Sequence, residues 1–167
     1  MSPRLKFFAG AALLLAAAIA GRAEWHAGDL LPSLDRPELA GGARPVTAGQ
    51  VVLIDFWASW CAPCKASFPV FAALHREYGP PGLVIVAVSV DENPAAYASF
   101  LKKLSPPFLT LHDRRQQLVR EAKVPAMPTS YLFGRDGRLR FIHAGFRGHA
   151  TEVELRREIE ALLREKA

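Results

Sequence analysis

Cysteine is scarce in this chain: Cys61 and Cys64 are the only two among 167 residues. A framework of several disulfides, the usual device of small secreted scaffolds, is therefore excluded. No second C-x-x-C or H-x-x-x-H pair accompanies them, which argues against a four-ligand zinc site. No apolar run reaches the roughly 20 residues that span a bilayer comfortably. Outside the first 23 residues there is no low-complexity segment and no internal repeat. A strong charge of one sign is lacking too. Of the 21 basic groups, Arg4, Lys6 and Arg22 precede residue 24, which leaves 18 against 16 acidic groups in 24–167, a net +2. The alkaline balance belongs largely to the first residues, and no nucleic-acid partner is expected.

Those first residues have three parts. Met1 to Lys6 carries two cations, Phe7 to Ala20 is uncharged and apolar, and small residues follow. This is the pattern of a secretory signal peptide, with cleavage at Ala18-Ile19-Ala20 or Gly21-Arg22-Ala23; an uncleaved N-terminal anchor is the alternative. No cysteine ends the run, so a lipid-modified N-terminus is not expected. The expected organisation is a leader at 1–23, an irregular arm at 24–49 and one domain at 50–167, exported to an oxidising compartment such as the periplasm.

The arm is punctuated by Gly, Pro and Arg and predicts at most a short strand or hairpin. Val51 to Trp57 is a continuous β-branched and aromatic run, as expected of a strand buried on both faces. The pattern predicts a helix from about Cys61 to Tyr78, with Pro69 as a kink, and a break at Gly79-Pro80-Pro81-Gly82. A second buried strand follows at Leu83–Val90. A helix is expected over 94–104, with Pro94 in its first turn. Next come a short strand at Phe108–Leu111 and a short helix at Arg114–Ala122. Strands at Thr129–Phe133 and Leu139–His143 flank the hairpin signal Asp136-Gly137. Thr151-Glu152-Val153-Glu154 reads as a capping box before a closing helix with Leu155, Ile159, Leu162 and Leu163 on one stripe. The order predicts an α/β fold, a central sheet with helices on both faces.

Three uses of the cysteine pair compete. A structural staple over so short a loop would contribute only about 2 kcal/mol in the chain-entropy account. A metal site lacks further ligands. Redox catalysis suits the spacing: a strand ending near Ala58 and a helix starting near Cys61 put the first sulfur at a helix N-terminus, where orphan N–H groups favour a thiolate. That sulfur should be exposed and its pKa lowered. Cys64, one turn later, can attack a mixed disulfide. Pro63 fits the first turn, where its missing N–H costs nothing. Asp55, in the middle of VVLIDFW, is expensive to bury, and desolvation should raise its pKa toward that of a general base.

DFWASWCAPCK, followed some sixty residues later by Ala126-Met127-Pro128-Thr129, resembles the thioredoxin superfamily. The leader, the extra helix near 94–104 and PTSYLFGRDGRLRFIHAGF resemble its TlpA/ResA-like branch, which includes the DsbE-type cytochrome c maturation proteins. The resemblance covers about 50–165, and 24–49 match poorly. It implies a thioredoxin fold, with Cys61 as nucleophile and Cys64 as resolving thiol. Pro128 takes the place of the cis-proline beside the active site, leaving the Met127 backbone free to pair with a substrate strand. Trp60 takes the place of the tryptophan that shields the disulfide, while Trp57 is core. Trp60, Ala62, Pro63, Met127, Pro128 and Thr129 thus form the implied substrate-facing set.

Many ResA-like members keep a glutamate three residues after the second cysteine; here that position is Ser67. Asp55 lies where cytoplasmic-type thioredoxins carry a buried aspartate, so one base stands in for the other. Lys65 is a weaker candidate for lowering the thiol pKa, and His75 and His143 read as structural. The resemblance implies no cofactor beyond the dithiol, a disulfide-containing protein substrate, a membrane electron donor and a monomer. Ala62-Pro63 resembles the Gly-Pro of reductants more than the Pro-His of strong oxidants, which favours a reductase. Two alternatives remain open. A peroxiredoxin-like peroxidase would need Thr or Ser where Ala58 stands, and a copper-binding assembly chaperone would need a distant histidine such as His143.

Overall fold

The computed structural model describes residues 24–166, so the expected leader at 1–23 lies outside the described residues. In chain order the elements are β1 (Leu39–Gly41), β2 (Val51–Trp57), α1 (Ala62–Tyr78), β3 (Leu83–Ser89), α2 (Pro94–Leu104), β4 (Leu109–Asp113), α3 (Gln117–Ala122), β5 (Thr129–Phe133), β6 (Leu139–Ala144) and α4 (His149–Arg164). The six strands form one sheet in the order β1-β4-β3-β2-β5-β6. β2, β3 and β4 run parallel, while β1, β5 and β6 pair antiparallel with their neighbours. The two apolar runs became the two central strands, each buried at every position.

Parallel neighbours need crossovers, and right-handed crossovers in one direction put their helices on one face. Trp57 shows this directly: its ring lies 5.0 Å from Phe68 of α1 and 4.4 Å from Phe100 of α2. α4 joins that face, for Tyr78 at the end of α1 donates to Glu160 at 2.8 Å and Arg156 pairs with Glu77. Side chains alternate along β2, so Phe56 points the other way. There it meets Tyr131 at 5.9 Å, and the Tyr131 hydroxyl donates to the Ala122 carbonyl in α3. Helices thus cover both faces of a mixed sheet.

Several elements differ from the sequence pattern. β4 extends to Asp113 and α3 starts at Gln117, because the Asp113 carboxylate accepts the N–H groups of Gln117 and Val119 at 2.9 and 3.0 Å. α4 begins before Thr151, behind Gly148 at φ +60°, a backbone region that favours glycine. Thr151 therefore sits inside the first turn, and its hydroxyl reaches back to the Arg147 N–H at 3.0 Å instead of capping a helix that follows it. α1 runs unbroken through Pro69, which lies exposed. Asn93 caps α2 by accepting the Ala95 N–H at 2.9 Å, with Pro94 in the first turn as expected.

The stretch before β2 pairs with both edges of the sheet. β1 lies against β4, and residues 28–31 bond to Gly137 and Leu139 at the edge of β6. Open strand edges are templates for unwanted pairing, and this covering shortens both. Gly41, at φ +119°, has the Thr110 carbonyl 2.8 Å from where a Cβ would stand, so β1 can close on β4 only with glycine there.

Candidate active site

β2 hands the chain to the cysteine loop through a buried anchor. The Asp91 carboxylate, just past β3, accepts the Ser59 N–H at 3.1 and 3.0 Å, the Ser59 hydroxyl at 2.8 Å and the Ser89 hydroxyl at 2.9 Å. The Cys61 N–H then closes a turn onto the Ala58 carbonyl at 3.1 Å. Cys61 is the N-cap of α1, in extended backbone, with Pro63 in the first turn. The two cysteines form a disulfide with Cα atoms 5.3 Å apart. The Cys64 N–H points at the Cys61 sulfur, 3.2 Å away. One orphan amide donor at this helix start is thus directed at the first sulfur, as the spacing predicts.

Exposure separates the two sulfurs less than expected. Cys61 keeps 5% of its surface and Cys64 none. The expectation of an exposed first cysteine is not met in this oxidised form, in which Cys61 is buried. Around it Trp60 is 69% exposed, and Ala62, Pro63 and Lys65 are exposed as well. Trp57 is fully buried, as a core residue should be.

The second motif arrives at the same end of the sheet. Thr129 lies opposite Phe56 in the β2–β5 register, which sets Pro128 beside Trp57 at the mouth of the cysteine loop. The Met127–Pro128 bond is cis. The Pro128 carbonyl accepts the Gly145 N–H at 2.7 Å, and the Thr129 hydroxyl donates to the Ala126 carbonyl at 2.7 Å. Met127 is half-buried, whereas Pro128 and Thr129 are buried.

Asp55 is fully buried at the middle of β2. Burial pushes its pKa up to about 8, partly offset by a hydrogen bond from Ser130. The Ser130 hydroxyl donates to Oδ1 at 2.6 Å, and Oδ2 has no partner. Asp55 shares the face of Trp57, and hence of α1, where Cys64 and Phe68 lie one turn apart and both buried. Ser67 is also buried, but its hydroxyl donates to the Cys64 carbonyl at 2.9 Å. That ties it to the helix backbone. His143 bonds Glu158 of α4 at 2.7 Å and lies 3.6 Å from Glu154. His75 sits near the far end of α1, with its Nδ1 buried and unpartnered.

Two residues that shape this site, Asp91 and Ser130, were not singled out by their local sequence. The available signal was a polar side chain inside or just after an otherwise apolar strand.

Residues 26–159 match the family described as Redoxin. The chain belongs to that family. It is similar to the thiol-disulfide oxidoreductase ResA of Oceanobacillus iheyensis, 35% identical over 97 residues covering 58% of this chain and 50% of that protein. It is also similar to ResA of Bacillus subtilis, 33% identical over 91 residues, 54% of this chain and 51% of that one. The chain thus matches about half the length of these relatives. Among solved structures it resembles a thiol:disulfide interchange protein, DsbE, from Chlorobium tepidum, with a TM-score of 0.76 and 35% identity over 84% of this chain and 99% of that one. This redoxin therefore has the thioredoxin fold of the ResA and DsbE type. Among the described residues, no helix is long and apolar enough to cross a membrane.

Proposed function

We propose that this redoxin is a thiol–disulfide oxidoreductase that works outside the cytoplasm, mainly as a reductase of protein disulfides. One observation carries the reading: the Cys61–Cys64 disulfide caps α1, with the Cys64 amide aimed at the Cys61 sulfur and a fully buried Asp55 carboxyl group on the face beneath. In the reduced protein the Cys61 thiolate attacks one sulfur of a substrate disulfide. A bond forms between them, and the other substrate sulfur leaves as a thiolate. In molecules whose Asp55 is ionised, Cys64 then gives its proton to that carboxylate and attacks Cys61, which regenerates the disulfide and releases the second substrate thiolate.

Two electrons have passed to the substrate, so another dithiol must restore the enzyme. Outside the cytoplasm those electrons come across the membrane, and a membrane electron donor is the implied partner. The exposed Trp60, Ala62 and Pro63, which flank Cys61 in the chain, together with the Met127 backbone, are the surface a substrate chain would touch. Assembly of c-type cytochromes and of metal-site proteins are the substrate classes that suit the ResA and DsbE likeness.

The test is capture of the intermediate. A Cys64→Ala variant, reduced and exposed to the oxidised proteins of its own compartment, should hold partners as mixed disulfides through Cys61 that mass spectrometry identifies. Recovery of no cysteine-linked partner, with Cys61 still reactive to a small disulfide, would count against a protein-disulfide substrate.

A further inference from the structure

The sheet row that holds Asp55 has a simple composition. Ala87 lies opposite it on β3 and offers no polar atom, while Ser130 lies opposite it on β5. Ser130 is the carboxyl group's one hydrogen-bond partner among the described residues, and it engages Oδ1 only. A serine hydroxyl has one proton to give. An oxygen that accepts it in the neutral acid is the carbonyl oxygen, so the acid's own proton belongs on the other oxygen.

We propose that Ser130 is the positioning residue for Asp55: by holding Oδ1 it assigns the labile proton to Oδ2, the atom left to exchange a proton with Cys64. This rests on the reading of Asp55 as the base in resolution. Ser130 has a second effect. A hydroxyl donated to a carboxylate is stronger than one donated to the neutral acid, so it keeps Asp55 able to ionise within a site where burial opposes charge. Other titratable groups on the packed elements are engaged elsewhere or lie outward. His143, opposite Ser130 on β6, bonds Glu158 and faces Glu154, which pairs with Arg147; on α1, Lys65 is exposed and His75 lies near the far end. Ser130 also follows Pro128 by two residues, so the strand that carries the implied substrate contact also carries the partner of the base.

The reduced protein, mixed with an aromatic disulfide that releases a coloured thiolate, separates the two steps. The first release reports attack by Cys61 and the second reports resolution by Cys64. Ser130→Ala should leave the first rate unchanged and move the pH midpoint of the second upward by about one pH unit, which is about tenfold slower at neutral pH. Ser130→Thr, which keeps the hydroxyl, should follow the wild type. Ser130→Val, the same shape without the hydroxyl, should follow Ser130→Ala, and this pair controls for packing should the alanine variant fold poorly. The Asp55 carboxyl resonance in carbon NMR should titrate higher by the same amount in the variants without a hydroxyl. If Asp55→Asn resolves with the wild-type pH profile, the base reading fails and Ser130 falls with it. If Asp55→Asn slows resolution but Ser130→Val titrates as Ser130→Thr does, the base stands and the positioning role is wrong.

Discussion

The Asp91 carboxylate holds Ser59, two residues before Cys61, through both the backbone N–H and the side-chain hydroxyl. This ties the loop that aims the first cysteine to the end of a central strand. The carboxylate is 2% exposed, so its loss leaves a buried donor on Ser89 and half-buried donors on Ser59 without this partner. Asp91→Ala should cost on the order of 3 kcal/mol and lower Tm by roughly 10 °C. Asp91→Asn, which keeps an acceptor, should cost less. Thermal unfolding of the oxidised proteins tests this, and equal Tm values for alanine variant and wild type would show the anchor to be dispensable.

Asp55 makes stability depend on pH in the direction opposite to that of a salt-bridged carboxylate. Its folded value of about 8 lies above the ordinary 3.8, so between those values the folded chain keeps a proton that the unfolded chain has released. The contribution is full below about pH 4 and is lost as pH rises through about 8. The whole difference corresponds to about 6 kcal/mol at most. Asp55→Asn mimics the neutral acid and should escape the loss. Its Tm should gain on the wild type steadily from pH 5 to about pH 8 and level off above that, and parallel curves would mean that Asp55 ionises in the folded protein as easily as in water.

Sequence pattern reached the elements whose logic is local. VVLIDFW and LVIVAVSV declare buried parallel strands by their unbroken apolar runs, and Asp136-Gly137 declares a hairpin by its turn chemistry. Asn93-Pro94 declares a helix start. Cys61, Cys64 and Asp55 were legible because spacing and the expense of burying charge are properties of the chain itself. The partners of these residues were not. Ser130 meets Asp55 across 75 residues and Asp91 meets Ser59 across 32, and only strand register decides such pairs. The Thr151 cap was misplaced for a related reason, since glycines at 145 and 148 with positive φ let the chain turn into the helix early.

Trp25 is the clearest case of structure hidden from local pattern. In a stretch without periodicity, its ring lies 5.7 Å from Phe56, 4.9 Å from Tyr131 and 6.1 Å from Phe133. It fastens the arm over the sheet face opposite α1. Trp25→Ala should destabilise by about 3 kcal/mol. Amide exchange should quicken at Gly28 and Leu31, whose N–H groups bond Leu139 and Gly137. The thiol reactions should stay unchanged, because Trp25 lies on the face away from α1. A loss of resolution rate in this variant would show that the two faces of the sheet are coupled.

The two cysteines differ in ways that chemical labelling can read. The Cys61 sulfur stands at the start of α1 with the Cys64 amide 3.2 Å away, whereas Cys64 is wholly buried within the first turn. A thiolate, not a thiol, is the nucleophile, and a directed amide donor at a helix start favours it at Cys61 alone. Cys61 also keeps 5% of its surface in solvent. Alkylation of the reduced protein at neutral pH should therefore modify Cys61 first, and by a wide margin. Cys61→Ser should abolish disulfide reduction. Cys64→Ser should still form a mixed disulfide and then stall, because the attacking sulfur is present and the resolving one is gone. A structural staple would behave otherwise: its bond would resist mild reductant in the folded protein, and both serine variants would lose stability alike. Equal labelling rates at the two positions, or a bridge that opens only on unfolding, would overturn the catalytic assignment.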